Sequence, residues 1–311
     1  MSDSYIPRSP MSSCEVVIVS AKRTPIGAYQ GLLSPVTAPQ LGSAAAQAAM
    51  AAAGHGEVLD HMFYDGLQSP FDGKLMGCFA DATAVKYNFS RSMQDAFAAE
   101  SVGRALRALE GGEFEAEISP VTVKSRKGEM VVARDETPST CDVSKISTLK
   151  PAFGKDGTVT AASSSSISDG AAALVLMSGE AARARGLKPV ARVLAYASHA
   201  QEAEWFTTAP VGAVRKVLNQ LWWKARDVEL FEINEAFAVV TMAAMNDLAI
   251  DPARVNVNGG ACALGHPIGA TGARILTTLI HALQRRGQRR GIASLCIGGG
   301  EAVAMAIEVM S

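Results

Sequence analysis

Apolar and polar positions fall in blocks, and block length separates strands from helices. Residues 15–21, EVVIVSA, form a short continuous apolar run rich in β-branched side chains, which predicts a buried strand. The segment 22–35, KRTPIGAYQGLLSP, is turn-rich and reads as a loop. Residues 39–53 have a proline start, an alanine-rich body and a glycine stop at Gly54, which predicts a helix. Small side chains on most of its faces imply close packing against a neighbour. After Gly54 the periodicity stops, and GHGEVLDHMFYDGLQSPFDGKLMG reads as an irregular, functional loop region. Ser90 to Glu110 is strongly amphipathic, with Ser90 as N-cap and Gly111–Gly112 as the stop. EISPVTVKS and EMVVARDE read as strands, and TVTAASSSSISDGAAALVLMS passes from a small-residue loop into a buried run.

From residue 188 onward strands and helices alternate. VARVLAYAS, a helix from Ala213 to Ala225, VELFEIN and a helix from Glu235 to Leu248 lead to a glycine-rich loop. A helix from Ala270 to Arg286, IASLCIGGG and AVAMAIEVM follow it. This alternation predicts an α/β fold with helices on both faces of a sheet. The two ends of the chain share a layout of strand, glycine loop and small-residue helix, without an obvious sequence repeat.

Composition narrows the class. The chain has 311 residues, 48% apolar and 19% charged, with a net charge of -1, so it is globular and long enough for a substantial core. The run RRGQRR at 285–290 is its only basic cluster and reads as a solvated helix end, so nucleic acid is not an expected partner. The five cysteines, Cys14, Cys78, Cys141, Cys262 and Cys296, show neither CxxC pairing nor metal-ligand spacing, which points to a reducing compartment and no metal site. Residues 1–13 read as a disordered leader without a secretory signal, and no apolar run is long enough to span a membrane. A cytoplasmic protein is the expectation.

Two reactive side chains stand where apolar strands meet glycines. His266 lies in GGACALGHPIGATG, framed by Gly259, Gly260, Gly265, Gly269 and Gly272. Glycines permit close backbone approach to a ligand. An imidazole there suits activation of a thiol or a hydrogen bond to a thioester oxygen. Cys296 ends IASLC and precedes Gly298, Gly299 and Gly300. A buried cysteine is often an inert small hydrophobe. At a strand end, though, a thiol can act as acid or base, and the glycine N–H groups can form an oxyanion hole. Asn234 and Glu235 follow VELFEI, where an asparagine either caps a helix or orients water or an oxyanion. Ser163 to Ser166 suit either a solvated loop or a tunnel wall along a pantetheine-like arm.

Taken in order, SAKRTPIGAYQG, FGKDGTVTAASSSSISDGAAALVLMS, INEAFA, VNVNGGACALGHPIGATGAR and LCIGGGEAVAMAIE resemble the thiolase family, and within it the acetyl-CoA acetyltransferases. The resemblance covers nearly all of residues 14–311. It implies two similar α/β halves stacked as αβαβα layers, with a loop domain inserted in the first. On that plan residues 14–54 and 168–187 are a remnant of the N-terminal half, 55–167 the loop domain and 188–311 the C-terminal half. It also implies ping-pong acyl transfer with coenzyme A thioesters as substrates and no bound cofactor. Two acetyl-CoA condense to acetoacetyl-CoA, or a 3-ketoacyl-CoA is thiolysed in reverse. Acyl-CoA and CoA are the implied partners, and the chain is expected to form a homodimer or homotetramer. By resemblance, His266 activates the nucleophile, Cys296 is the acid/base cysteine and Gly298 donates an oxyanion N–H. Asn234 holds the water of the other oxyanion hole, Ser165 and Phe237 line the pantetheine path, and Met76 lies near the acyl pocket.

The sequence also departs from the family. A segment like VCGSGM, which carries the acyl-accepting cysteine, and a later strand end like AGGMESMS are expected between the first helix and the loop domain. Here the helix ending near Gly54 runs almost directly into GHGEVLDHMFYDGL, so the first half-sheet is expected to be truncated and no nucleophilic cysteine is found. Cys78, near a helix start in LMGCFADA, is in the wrong domain to substitute. Cys14, Cys141 and Cys262 lack activating surroundings. Leu75 replaces a histidine of many acetoacetyl-specific members, which allows a broader 3-ketoacyl range. Three readings stay open: an acyltransferase lacking its acceptor segment, a non-catalytic relative that keeps CoA binding or subunit contacts, and an inactive remnant. Burying one apolar side chain is worth about 1.5–3 kcal/mol against a domain stability of about 5–15 kcal/mol, so lost core strands threaten the fold.

Overall fold

A computed structural model describes residues 22, 23, 25, 31–33, 35–53, 60–125 and 128–310. They fall into two units, one up to Asp60 and one from His61 onward. The expected leader 1–13, the strand 15–21, Cys14, Gly54 and half of the loop 22–35 lie outside the described residues.

In the first unit, α1 (Ala38–Ala53) forms where the alanine-rich block predicts it. Thr37 and Gln40 start it, the Thr37 N–H and hydroxyl both donating to Gln40 Oε1 at 2.9 and 3.0 Å. Alanine gives up no side-chain entropy in a helix, so propensity favours the helix in this block.

The second unit opens with a single wide helical turn, Met62–Leu67, and a bridge between Gln68 and Leu75. α2 (Met76–Tyr87) and α3 (Arg91–Glu110) follow. The Met93 N–H donates to Ser90 Oγ at 3.2 Å, the expected N-cap, and Gly112 turns the chain away at φ +66°. α3 buries Gln94, Ala98, Ser101, Val102, Ala105 and Ala108, one helical face of mostly small residues. Next come the antiparallel hairpin β1 (Val121–Ser125) and β2 (Gly128–Val132), then the short helices α4 (Thr137–Thr140) and α5 (Gly179–Ala184).

A four-stranded mixed sheet organises the rest. It consists of β3 (Ala191–Ala200), β4 (Leu230–Ile233), β5 (Arg290–Ile297) and β6 (Glu301–Val309), in the order β3-β6-β5-β4. β4 and β5 run parallel, while β6 is antiparallel to both β5 and β3. Period-two alternation sorts its side chains onto two faces. Phe231, Ile233, Ile292, Ala302, Ala304 and Ala306 meet Val214 and Val217 of α6 (Ala209–Gln220). Leu230, Ala293, Ile307 and Val309 meet Ile275, Leu279 and Leu283 of α9 (Thr271–Arg285). Helices therefore cover both faces, as the alternation predicts. α7 (Ala238–Leu248) and the one-turn α8 (Ala261–Leu264) flank the strand ends.

Three expectations change. The helix expected over 213–225 runs over Ala209–Gln220, because Pro210 sets its first turn and the chain leaves the helix before Trp222, which sits at φ +54°. The helix expected from Glu235 begins only at Ala238, because Phe237 is extended and bridges to Ser164. The run AAALVLMS, expected to be buried, carries no regular structure, and Val175 is 88% exposed and Leu176 71%. Apolar character buries a residue only where something covers it. Among the described residues only Leu174 of this run joins a core cluster.

Leu279→Ala is expected to cost about 2–5 kcal/mol in urea unfolding, because it opens a cavity at a fully buried site. Val175→Ser is expected to stay within about 0.5 kcal/mol.

Candidate functional site

The site is built at the carboxyl ends of β4 and β5. Ile233 is the last residue of β4, and the side chain of Asn256 satisfies its backbone on both sides. Ile233 N–H donates to Asn256 Oδ1, and Asn256 Nδ2 donates to Ile233 O, each at 2.8 Å. Asn256 reaches this pose at φ +48°, a left-handed conformation that asparagine tolerates. The Asn234 N–H then donates to Ser294 O at 2.9 Å, which ties Asn234 to β5 two residues before Cys296.

His266 arrives on the glycine loop. Gly265 precedes it at φ +98°, with Ser168 Oγ where a Cβ would stand, so only glycine fits. The His266 N–H donates to Ser166 O at 3.1 Å. On the ring, Nδ1 lies 2.6 Å from Thr271 Oγ1, and the Thr271 hydroxyl donates to Pro267 O at 2.9 Å. A Thr271 hydroxyl directed at Pro267 O matches the tautomer in which Nδ1–H donates to threonine and Nε2 is the unprotonated acceptor. Nε2 faces Asn234 Nδ2 at 3.4 Å. Burial, assisted by the charge of Arg274, lowers the imidazole pKa to about 4, so the ring is neutral near pH 7. Asn234 Oδ1 is buried and finds no partner among the described residues.

The remaining sequence-derived residues gather on the same ground. Met76, Phe237, Cys262 and Cys296 share one buried apolar cluster. A Cβ on Gly298 would stand 2.9 Å from Met76 Sδ, so the GGG turn lies against Met76. The Ser165 N–H and hydroxyl both donate to Ala236 O, at 3.0 and 3.1 Å, which places the serine loop beside Phe237. The loop thus lies between the extended Phe237 and His266.

Cysteine environments differ sharply. Burial pushes the Cys296 thiol up to about 12. Burial and the adjacent Glu235 hold the Cys262 thiol well above its usual value. Burial, with Asp142 nearby, also raises Cys141. Cys78 lines a separate hollow with Asp81, Phe153 and Gly157, its Sγ 3.9 Å from Phe153 O. Cys14 lies outside the described residues.

Sequence reasoning missed the residues that hold the site in place. Thr271 bonds to the histidine ring, Asn256 completes the strand end, and Ser101 reaches the loop from a helix 134 positions away from Glu235. Only Thr271, five residues after His266 at the start of α9, stood close enough in sequence to suggest itself.

Asn234 and Cys296 thus stand at the carboxyl ends of β4 and β5, and the glycine-framed His266 stands against Asn234. A model of the thiolase N-terminal domain matches residues 51–180, one of the thiolase C-terminal domain matches residues 187–309, and the chain belongs to the thiolase family. Among curated relatives, acetyl-CoA acetyltransferases of Pseudomonas aeruginosa and Escherichia coli are each 47% identical over 256 residues, which cover 82% of this chain and 65% of theirs. Among solved structures, an acetyl-CoA acetyltransferase of Bacillus anthracis superposes with a TM-score of 0.80 at 44% identity, covering 83% of this chain and 65% of that one. A thiolase of Ascaris suum in complex with coenzyme A superposes with a TM-score of 0.75 at 40% identity, covering 83% and 66%. The chain thus spans about two thirds of the length of the relatives it matches.

The His266 ring is expected to titrate near pH 4 by NMR, well below the usual 6.5. Arg274→Gln removes a positive charge that disfavours the imidazolium, so it is expected to move the midpoint upward.

Proposed function

We propose that this chain carries the proton-handling part of a thiolase-type acyl-transfer site for coenzyme A thioesters. The observation that carries the reading is the pairing of a neutral His266 with Asn234, whose backbone is tied to β5 two residues before Cys296. Condensation of two acetyl-CoA to acetoacetyl-CoA, and thiolysis in reverse, share two demands. Negative charge must rest on a thioester oxygen, and protons must pass on and off carbon and sulfur.

His266 Nε2, with its lone pair free of a proton, accepts the proton of a thiol or faces the thioester oxygen once protonated. Asn234 gives its Nδ2–H to His266 and keeps Oδ1 for a water at the oxyanion. Cys296, protonated in its apolar cluster, is the acid that returns a proton, and its thiolate is a strong base when formed. Gly298 N–H is the second oxyanion donor. Ser165 and Phe237 line the pantetheine path and Met76 the acyl pocket. The Ascaris suum relative, solved with coenzyme A, supports the substrate class. Leu75, next to Met76, allows a broader range of 3-ketoacyl-CoA.

The acyl acceptor is the part this reading withholds. Cys262 and Cys141 sit in surroundings that favour the thiol over the thiolate, and Cys78 faces another hollow. Ping-pong transfer needs a covalent resting place for the acyl group. Intact-mass analysis after mixing with acetyl-CoA is therefore expected to show no stable acetyl adduct, while calorimetry shows saturable CoA binding that Phe237→Ala weakens about ten-fold. A stable adduct on any cysteine overturns the missing acceptor. Absence of CoA binding overturns the site itself and leaves an inactive remnant. A proton-handling site also incorporates deuterium at the acetyl methyl of acetyl-CoA in D2O, a reaction expected to collapse in Cys296→Ala. A CoA-binding relative without chemistry shows binding and no incorporation.

A further inference from the structure

We infer that Glu235 is a positioning residue, whose buried carboxylate clamps the Gly260–His266 loop to the end of β4 and to α3 and so sets where His266 stands against Asn234. The inference rests on the acyl-transfer reading for its purpose. Its geometry is independent of that reading.

Glu235 follows Asn234 and is 1% exposed. Its Oε1 accepts from Asn256 Nδ2 at 2.8 Å, and Asn256 is the residue that also completes the backbone of Ile233. Its Oε2 accepts from Ser101 Oγ of α3 at 2.7 Å and from the Cys262 N–H at 3.1 Å. Ser101 Oγ in turn accepts from the Gly260 N–H at 3.0 Å. One carboxylate therefore joins three separate segments, and two consecutive links run to the loop that ends in His266.

The loop is shaped to this contact. A Cβ on Gly260 would fall on the carboxyl group of Glu235, so the backbone there is pressed against it. Gly259, at φ +83°, would place a Cβ 2.6 Å from Ser101 O, so the loop also lies directly on α3. Neither glycine leaves room for a side chain. The start of the loop has one seat, and the acceptors that hold its Cys262 and Gly260 amides are Glu235 and Ser101.

The chemistry requires a carboxylate. Asn256 Nδ2, Ser101 Oγ–H and Cys262 N–H are all donors, and the Ser101 lone pair facing the loop already accepts from Gly260. Burial raises the proton affinity of Glu235, and these three donors oppose it. A glutamine has the same shape but an NH2 on one side. Either orientation sets that NH2 against a donor, at Asn256 or at Cys262.

The test is Glu235→Gln in the full chain, without ligand, read by amide hydrogen exchange and by NMR titration of His266. The Gly260 and Cys262 amides are expected to exchange about ten-fold faster relative to the Leu279 amide of α9, as for loss of a hydrogen bond to a charged group. The His266 midpoint is expected to rise from about 4 toward 6.5 as the ring gains solvent. A merely structural role speeds all amides alike and leaves the titration in place, which overturns the inference, as does no change at either readout. If Glu235→Gln does not fold, Ser101→Ala decides. It keeps the carboxylate and removes the Gly260 acceptor, so the Gly260 amide is expected to exchange about ten-fold faster with the same upward shift of His266. An unmoved Gly260 amide and an unmoved His266 overturn the inference. Neither readout needs CoA or turnover, so a failure of the acyl-transfer reading leaves this outcome distinct.

Discussion

The site depends on one exchange of hydrogen bonds at the end of β4. A strand that stops inside a protein leaves backbone groups without ladder partners, and burial makes each unpaired group costly. Asn256 resolves this at Ile233 by presenting an amide that copies a neighbouring strand. The same side chain then turns its spare N–H to Glu235. Strand end, glycine loop and α3 are therefore one connected polar unit inside an apolar surround. Asn234 is placed as a by-product of how β4 is terminated.

Desolvation sets the protonation states around that unit. His266 is neutral because burial and Arg274 both oppose a second positive charge. Burial likewise favours the thiol of Cys296 over the thiolate. Arg274 stands as the cation among several acids. It approaches Glu232 at 3.9 Å, while burial raises Glu232 to about 8 and Glu117 to about 7, the latter accepting from Thr278 at 3.0 Å. For those two acids the folded pKa lies above the unfolded one. The stability they give is thus fully present below about pH 4.5 and is lost as pH rises through 7 to 8. His266 acts with the opposite sign: its contribution is present above about pH 6.5 and is lost as pH falls through about 4.

Much of the architecture was legible in the chain. Ser90, the amphipathic stripe and Gly111–Gly112 mark α3 to within a residue, since capping and periodicity are local effects. β5, β6 and α9 were readable for the same reason. The start of α7 was not, because Phe237 is held extended by Ser164, a partner more than seventy positions away. The exposed run around Val175 was not either, because the amount of covering surface is a property of neighbours and not of the run.

The residues themselves pointed to His266, Cys296 and Asn234, because glycines and reactive side chains at strand ends are visible in one dimension, while Gly298, Ser165, Phe237 and Met76 took their roles from the family resemblance. Sequence could not show that Thr271 bonds to the imidazole, that Glu235 binds three segments at once, or that Met76 rests on Gly298. Those facts arise when residues distant along the chain share a volume without water, where each donor must find an acceptor. Local chemistry is written in the order of residues, while pairing and desolvation exist only once the chain has closed on itself.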